Sequence, residues 1–318
     1  MKAYQKIVGV ILLLLNAALS TLAQETSSPD STGLPGDHFS LEGALTLFSK
    51  ASNIEDFEKA LNTESNAVNN LDLNQDGDID YLRVVDEADG DAHALIIQAV
   101  VNEKEVQDVA VIGIEKNGND SAVLEITGDE ELYGEELIVE PADEKESGGK
   151  GGPSPYAISR GVVVNVWLWP GVRFIYGPTY RPWISPYRWA YYPVWWKPWR
   201  VHPWRIHRNR CVVFHTGFRV VHVHRVNRAY GHYRTHRVTS VHVHNHYAPV
   251  RENHKAALNS KKSNKPNAPS KVNRTTNKKG GEVKPSGKTT KQPQNNRAKQ
   301  SAPKQGAKPS GAKGGKRK

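Results

Sequence analysis

The sequence predicts an α+β fold in which two short helices pack on an antiparallel β-meander. Apolar residues with helical spacing occur early in the chain, and β-rich runs separated by Gly-containing turns follow them. Charge then changes abruptly, because residues 25–147 carry a net charge of −25 and residues 148–318 carry +33. The chain therefore divides into an acidic folded part and a basic part of different character.

The first 24 residues have the layout of a secretory signal peptide. A short basic start precedes the apolar run Ile7–Leu15, and small residues follow, with cleavage expected after Ala23 or Gln24. The alternative is an uncleaved anchor, although the apolar run is shorter than the ~20 residues of a spanning helix. Since the one cysteine, Cys211, can form no internal disulfide, we expect an exported bacterial envelope protein: periplasmic, cell-surface or extracellular.

Two helices are expected at the start of the acidic domain, which should span residues 38–141. Residues 25–37 carry Pro, Gly and Ser and predict a flexible lead-in. Ser40 is the expected cap of a helix in SLEGALTLFSKAS, and Asn53 is the expected cap of a second helix in NIEDFEKALN. Each segment places its apolar residues on one face, which suits packing against a sheet.

Five β-rich runs follow and predict the meander. IDYLRVV and HALIIQAVV flank the turn Asp89-Gly90, VQDVAVIGIEK and SAVLEITG flank Asn117-Gly118, and ELIVEP adds an edge strand. A domain of about 100 residues can support one modest core. The predicted core residues are Leu82, Val84, Leu95, Ile97, Val109, Val111, Ile112, Ile114, Leu124 and Ile126.

The remaining chain changes character twice. Residues 142–155 predict a Gly-rich linker, and residues 156–250 form an irregular basic region rich in Trp, Tyr, Arg and His. Residues 251–318 form a Lys-rich tail with almost no large apolar residues. We expect this tail to be disordered, because it cannot bury enough surface to offset the entropy of ordering.

An aspartate-rich loop, DLNQDGDIDYLR, lies between the predicted helices and the first strand. Gly77 at its sixth position permits a sharp bend, and Ile79 at the eighth should point into the core. Residues that can offer oxygen ligands occupy every second position of this loop, and oxygen is the ligand atom that a hard divalent cation prefers. The candidate calcium ligands are Asp72, Asn74, Asp76, Asp78 (through its backbone carbonyl) and Asp80.

This loop resembles the calcium loop of EF-hand proteins. It is still more similar to the D-x-N-x-D-G-x-x-D loops of exported bacterial modules, and the resemblance covers about a dozen residues. The twelfth position, a bidentate Glu in EF-hands, is Arg83 here, so the resemblance implies weak calcium binding in the ~10⁻⁴–10⁻³ M range. The alternative is a solvated Asp/Asn turn without a metal.

The basic region interleaves aromatic and cationic residues. All eight tryptophans lie between Trp167 and Trp204, among prolines that exclude a continuous helix or a central strand. Guanidinium groups stack on aromatic rings and still bridge phosphates or carboxylates, which predicts binding to an anionic polymer or membrane surface. The alternative is an arm that contacts the acidic half of its own chain. The candidate polyanion-binding residues are Arg173, Arg181, Arg188, Arg200 and Arg205.

Histidines cluster between His202 and His254. They alternate with other residues in FRVVHVHRV and VTSVHVHNHY, so we expect two strands that each present imidazoles on one face. Such strands would bind Zn, Cu or Ni as a pair, and the alternative is a metal-free, pH-sensitive surface for polyanions. The candidate transition-metal ligands are His222, His224, His242, His244 and His246.

The sequence indicates binding in preference to catalysis. It contains no G-x-S-x-G, P-loop, H-E-x-x-H or dinucleotide fingerprint, and it indicates no small-molecule substrate. We expect an exported, non-enzymatic calcium-binding protein whose basic region and tail bind anionic envelope surfaces or polymers. The competing hypotheses are a transition-metal binding or buffering protein that uses the His-x-His strands, and a hydrolase.

Overall fold

The computed structural model describes residues 31–143 and 162–263, with side chains described as far as residue 260. The predicted signal peptide, most of the predicted linker and most of the predicted tail lie outside these residues. The predicted start of the disordered tail is wrong, because residues 251–263 are helical. Within them, a six-stranded antiparallel meander carries packed helices, which confirms the predicted α+β fold.

Seven α-helices, six strands and three short 3-10 helices make up the described fold. The helices are α1 Leu41–Lys50, α2 Ile54–Leu61, α3 Glu130–Tyr133, α4 Pro170–Ile175, α5 Trp204–Cys211, α6 Asn227–His236 and α7 Val241–Ser263. The strands are β1 Leu82–Asp89, β2 Ala92–Val100, β3 Val106–Lys116, β4 Ala122–Gly128, β5 Leu137–Pro141 and β6 Phe218–Val221, each antiparallel to the next. None of these helices is long and apolar enough to span a membrane.

Helices α1 and α2 begin where their caps predict. The hydroxyl of Ser40 accepts a hydrogen bond from the backbone N–H of Gly43 at 2.9 Å, and the Asn53 side chain accepts one from Asp56 at 2.7 Å. Phe48 and Phe57 bring the two helices together, with ring centroids 5.3 Å apart in an edge-to-face contact. Both rings are fully buried, so these helices form one wall of the core.

The strands β1 to β5 match the five predicted β-rich runs, and both predicted Gly-containing turns join strands of the sheet. All ten predicted core residues are buried. Nine of them lie in the cluster beneath α1 and α2, but Val111 lies in a separate cluster with Tyr230 and Tyr233. Val111 therefore faces the other side of the sheet.

That other side is covered by α6, which belongs to the basic region. Every residue of β2 is consequently buried, whereas two helices on one side would have left alternate residues in water. Gly113 in β3 permits the close approach, because a Cβ there would lie 2.5 Å from Cγ2 of Val226. Residues 162–263 thus pack on the acidic domain as part of one compact unit.

The basic region also supplies the sixth strand. β6 pairs with β5 from Ile138 opposite Val221 to Pro141 opposite Phe218. Between α4 and α5 the chain is irregular and runs along the free edge of β1. There Asp86 donates its N–H to the carbonyl of Trp183 at 2.7 Å, which satisfies part of an otherwise open strand edge.

The two predicted histidine strands are wrong. β6 ends at Val221, so His222 and His224 lie beyond it, and the segment VTSVHVHNHY is helical in α7. The segment VTSVHVHNHY is helical in part because Ser240 caps α7, as Ser40 caps α1. The hydroxyl of Ser240 accepts a hydrogen bond from the N–H of Val243 at 3.2 Å. Val243 is fully buried in the core, and this packing outweighs the β-propensity of the alternating valines.

Candidate functional site

The aspartate-rich loop closes on its own backbone. The Asp72 carboxylate accepts hydrogen bonds from the N–H groups of Asp76 at 3.1 Å and Gly77 at 2.9 Å. The side chain of Asn74 also accepts from Asp76 at 3.0 Å, and the carboxylate of Asp76 accepts from Asp78 at 2.8 Å. Three predicted calcium ligands therefore face the inside of one tight turn.

Asp80, the ninth residue of the loop, is almost fully buried. Its carboxylate accepts a hydrogen bond from the N–H of Leu73 at 2.6 Å. Burial raises the pKa of Asp80 well above its usual range, and the nearby carboxylates of Asp72 and Asp76 raise it further. Burial likewise raises the pKa of Asp72, so the loop concentrates negative potential where a cation would bind.

The loop carboxylates stand apart from one another in this structure. Among the described residues, no three of them have oxygens that all lie within 4.8 Å. The predicted ligand set also includes the Asn74 amide oxygen and the Asp78 carbonyl, and water or bidentate carboxylates would have to supply the rest of the six to eight oxygens that calcium takes. Calcium binding at this loop therefore stays a prediction.

The loop is joined directly to the basic region. Ile79 donates its N–H to the carbonyl of Trp199 at 2.9 Å, and Val201 donates its N–H to the carbonyl of Gly77 at 3.3 Å. Gly77 has φ of +87°, in the left-handed region that the predicted bend requires. The predicted burial of Ile79 is confirmed, and Arg200 lies 3.4 Å from the Asp78 carboxylate. These contacts mean that the conformation of the loop helps to fix residues 199–201, and that residues 199–201 help to fix the loop.

The five predicted polyanion-binding arginines are all exposed. Arg200 forms the ion pair with Asp78, and Arg188 lies over the ring of Tyr191, 4.9 Å from its centroid. Among the described residues, the other four of these arginines have no carboxylate within ion-pair distance. Their guanidinium groups are therefore available to an external anion.

Large apolar side chains are exposed beside these arginines. Trp189, Tyr191 and Trp195 are 37%, 57% and 41% exposed, and Val194 is 99% exposed. Exposed apolar side chains that form a contiguous patch are typical of contact surfaces. We call residues 173–205, with their exposed arginines and aromatic rings, the basic aromatic segment.

A second group of arginines, after residue 217, serves the fold instead. Arg219 pairs with the buried Glu140 at 2.7 Å, and Arg237 pairs with the buried Asp129 at 2.5 and 2.9 Å. Arg225, Arg228 and Arg251 also pair with acidic residues of the first half of the chain. These five arginines thus pair with carboxylates of the acidic domain, including the buried Glu140 and Asp129.

The predicted histidine ligands are not gathered into one group. His224 lies 2.5 Å from a carboxylate oxygen of Glu125, and His244 lies 3.0 Å from Glu131. The rings of His242 and His246 stack on α7 with centroids 6.2 Å apart. Among the described residues, no cluster of three metal-ligating groups includes any of the five predicted histidines.

Cys211 has the surroundings of a structural thiol. It is buried, with Sγ 3.5 Å from Nε2 of His207 and 3.2 Å from the carbonyl of Ala67. Burial raises the pKa of Cys211 to about 12 and lowers that of His207 to about 3. A neutral thiol beside a neutral imidazole is a poor nucleophile.

Sequence reasoning passed over one histidine pair that the structure brings to a carboxylate. His232 and His236 lie four residues apart on α6, next to Glu87 of β1. The spacing H-x-x-x-H could have indicated the pair, since residues four apart share one face of a helix. Glu87 could not have been found from local sequence, because it lies in the other half of the chain.

Comparison with known proteins gives no relative. No protein-family model, curated protein or solved structure matches this chain. Function must therefore be inferred from the loop, the basic aromatic segment and the ion pairs of the molecule itself.

Proposed function

We propose that this protein is an exported, non-enzymatic binding protein that holds an anionic polymer or surface of the cell envelope against its basic aromatic segment. One observation carries the proposal. Arg219, Arg225, Arg228, Arg237 and Arg251 form ion pairs with the acidic domain, whereas Arg173, Arg181, Arg188 and Arg205 extend into solvent. The fold thus pairs buried carboxylates such as those of Asp129 and Glu140 with arginines, and still presents a run of unpaired arginines on one segment.

The chemistry of the segment fits a polyanion. Arginine offers a planar fork of donors that matches phosphate, sulfate and carboxylate groups. Arg188 over Tyr191 shows how the same group also stacks on a ring, and Trp189 and Trp195 add apolar area for the uncharged parts of a polymer. The predicted Lys-rich tail would add attraction without geometric specificity.

Calcium has a supporting role in this proposal. A cation in the aspartate-rich loop would offset the repulsion among Asp72, Asp76 and Asp80. Because Gly77 and Ile79 bond to Val201 and Trp199, the same ion would fix one end of the basic aromatic segment. Calcium binding would therefore favour the conformation in which that segment is held against the acidic domain with its arginines exposed.

Charge removal in the basic aromatic segment should weaken polymer binding. We expect the Arg173→Gln/Arg181→Gln/Arg188→Gln variant of the full chain to bind heparin, a sulfated polysaccharide, more weakly than the parent. The plot of log affinity against log salt concentration should become shallower by about two units. Each contact with an anionic group releases roughly 0.7–0.9 of a counterion when it forms, and the variant forms three fewer such contacts. Tryptophan fluorescence titrations at several salt concentrations measure both quantities.

The control removes the same charge elsewhere. The variant Lys104→Gln/Arg234→Gln/Lys255→Gln also loses three positive charges, all at exposed positions outside the segment. It should keep most of the parent's affinity and salt dependence. Equal losses in the two variants would mean that net charge alone attracts the polymer, and the proposed surface would be rejected.

Calcium should stabilise the protein through the loop. At 5 mM calcium we expect the free energy of unfolding of the chelator-treated full chain to rise by about 1–2 kcal/mol, the gain for a dissociation constant of about 10⁻⁴–10⁻³ M. Asp76→Ala should abolish this gain, while Asp89→Ala, which removes an exposed carboxylate at the end of β1, should leave it unchanged. Thermal unfolding followed by circular dichroism provides the measurement, and a gain that survives Asp76→Ala would place the ion elsewhere.

A further inference from the structure

Glu87, His232 and His236 form a compact cluster on the face of the sheet that α6 covers. One ligand atom from each of the three lies within 4.8 Å of the other two, and no other group of three such residues in the described part of the chain meets this condition. The Glu87 oxygen Oε2 lies 3.6 Å from Nε2 of His232 and 3.1 Å from Nδ1 of His236. A single carboxylate oxygen therefore faces nitrogens of both rings.

These separations match those between neighbouring ligands of one metal ion. Two atoms bound at about 2.0–2.1 Å on adjacent corners of a tetrahedron lie about 3.3–3.4 Å apart. The two measured distances fall on either side of that value. The imidazole rings are close as well, with centroids 4.7 Å apart at an interplanar angle of 49°.

The fold, and not a local sequence motif, creates the cluster. The two histidines occupy successive turns on one face of α6, and α6 packs across β1, β2 and β3. Glu87 stands on β1, whose side chains alternate between the two faces of the sheet. Packing of α6 on the sheet fixes the partners before any ion arrives, which lowers the entropic cost of binding.

We propose that Glu87, His232 and His236 bind a transition-metal cation of the zinc, nickel and copper group. Two imidazoles and one carboxylate suit these metals and disfavour calcium or magnesium. All three side chains are partly exposed, with His236 at 47%, so a fourth position is open to water or to another ligand. The site is suited to exchangeable binding and is independent of the proposed calcium loop and polymer surface.

Binding would change one local contact. Nδ1 of His236 lies 3.0 Å from the carbonyl oxygen of His232 and 3.0 Å from the hydroxyl of Thr235. In the tautomer that carries its proton on Nδ1, His236 can donate to that carbonyl, and a metal ion on Nδ1 would displace this proton. The exchange is local to the last turn of α6.

The test is a zinc titration of the full chain after treatment with a chelator. Competition with a chromogenic chelator should show one site of micromolar or tighter affinity. His236→Ala and Glu87→Gln should each weaken that site by about tenfold or more. Cobalt absorption supplies a second readout, because the d–d bands of a bound cobalt ion should change in both variants.

The matched control is the double variant His242→Ala/His246→Ala. These histidines also lie four residues apart on one helix, α7, but no described cluster of three ligands includes them. This double variant should keep the tight zinc site, and circular dichroism should show that every variant retains the helix content of the parent. The proposal is overturned if the parent has no micromolar site, or if the control variant loses as much affinity as His236→Ala.

Discussion

Replacing Arg237 with alanine should destabilise the protein by about 3–5 kcal/mol, the usual cost of removing one partner from a buried ion pair. The Asp129 side chain is only 1% exposed, and the guanidinium of Arg237 meets its two oxygens at 2.5 and 2.9 Å. Burial raises the pKa of Asp129, and Arg237 opposes that rise. Without Arg237, a buried carboxylate would be left with only the weaker donors around it.

The pH dependence of this loss identifies its cause. Protonation of Asp129 removes the charge that the variant leaves unpaired, so the deficit should be smaller near pH 4 than at pH 7. Urea unfolding followed by tryptophan fluorescence at both pH values measures the difference. A deficit that is independent of pH would indicate lost packing instead of an uncompensated charge.

Arg228→Ala is the matched control for this prediction. Arg228 also bridges the two halves of the chain, through Asp91 at 2.9 Å, but both side chains are about half exposed. Water screens such a pair, so its removal should change the stability little. Similar losses for Arg228→Ala and Arg237→Ala would contradict the distinction between buried and exposed ion pairs.

The second large effect is expected at Glu58 of α2. Its buried carboxylate accepts hydrogen bonds at 2.8 Å from each of the Tyr81 hydroxyl, the Ser185 hydroxyl and the N–H of Val84. The indole of Trp183 adds a fourth donor at 3.4 Å. Glu58→Ala would leave these buried donors without a partner, at about 1–3 kcal/mol for each.

This variant should also loosen the basic aromatic segment. Ser185 and Trp183 are held to the acidic domain by Glu58, so we expect trypsin to cleave after Arg188, which Trp189 follows, faster than in the parent. The control is Glu55→Ala, which removes an exposed carboxylate from the same helix. Both variants are compared by thermal unfolding and limited proteolysis, and equal behaviour would remove the assigned role of Glu58.

The first half of the fold was predictable because its signals are local. Ser40 and Asn53 cap the helices, and Gly-containing turns separate runs of β-branched residues, so each element is specified within about ten residues. The helix α7 was missed because alternating Val and His suggested a strand. The deciding facts were the Ser240 cap and the burial of Val243.

The candidate sites were likewise predictable where their signals are local in sequence and not where they depend on distant residues. The order of residues in the aspartate-rich loop was visible in the sequence, and the bend at Gly77 and the burial of Ile79 agree with it. The pairing of the loop with Trp199 was not predictable, because it joins residues about 120 positions apart. No local pattern indicates which arginine neutralises which carboxylate.

The sixth strand has a consequence for biosynthesis. β5 gains its outer neighbour only when β6 has been made, and the buried Glu140 meets Arg219 only then. The whole acidic half therefore emerges from the ribosome before the residues that complete its sheet and pair with its buried Glu140 have been made. The nascent N-terminal half lacks its final stability until the last third of the chain emerges.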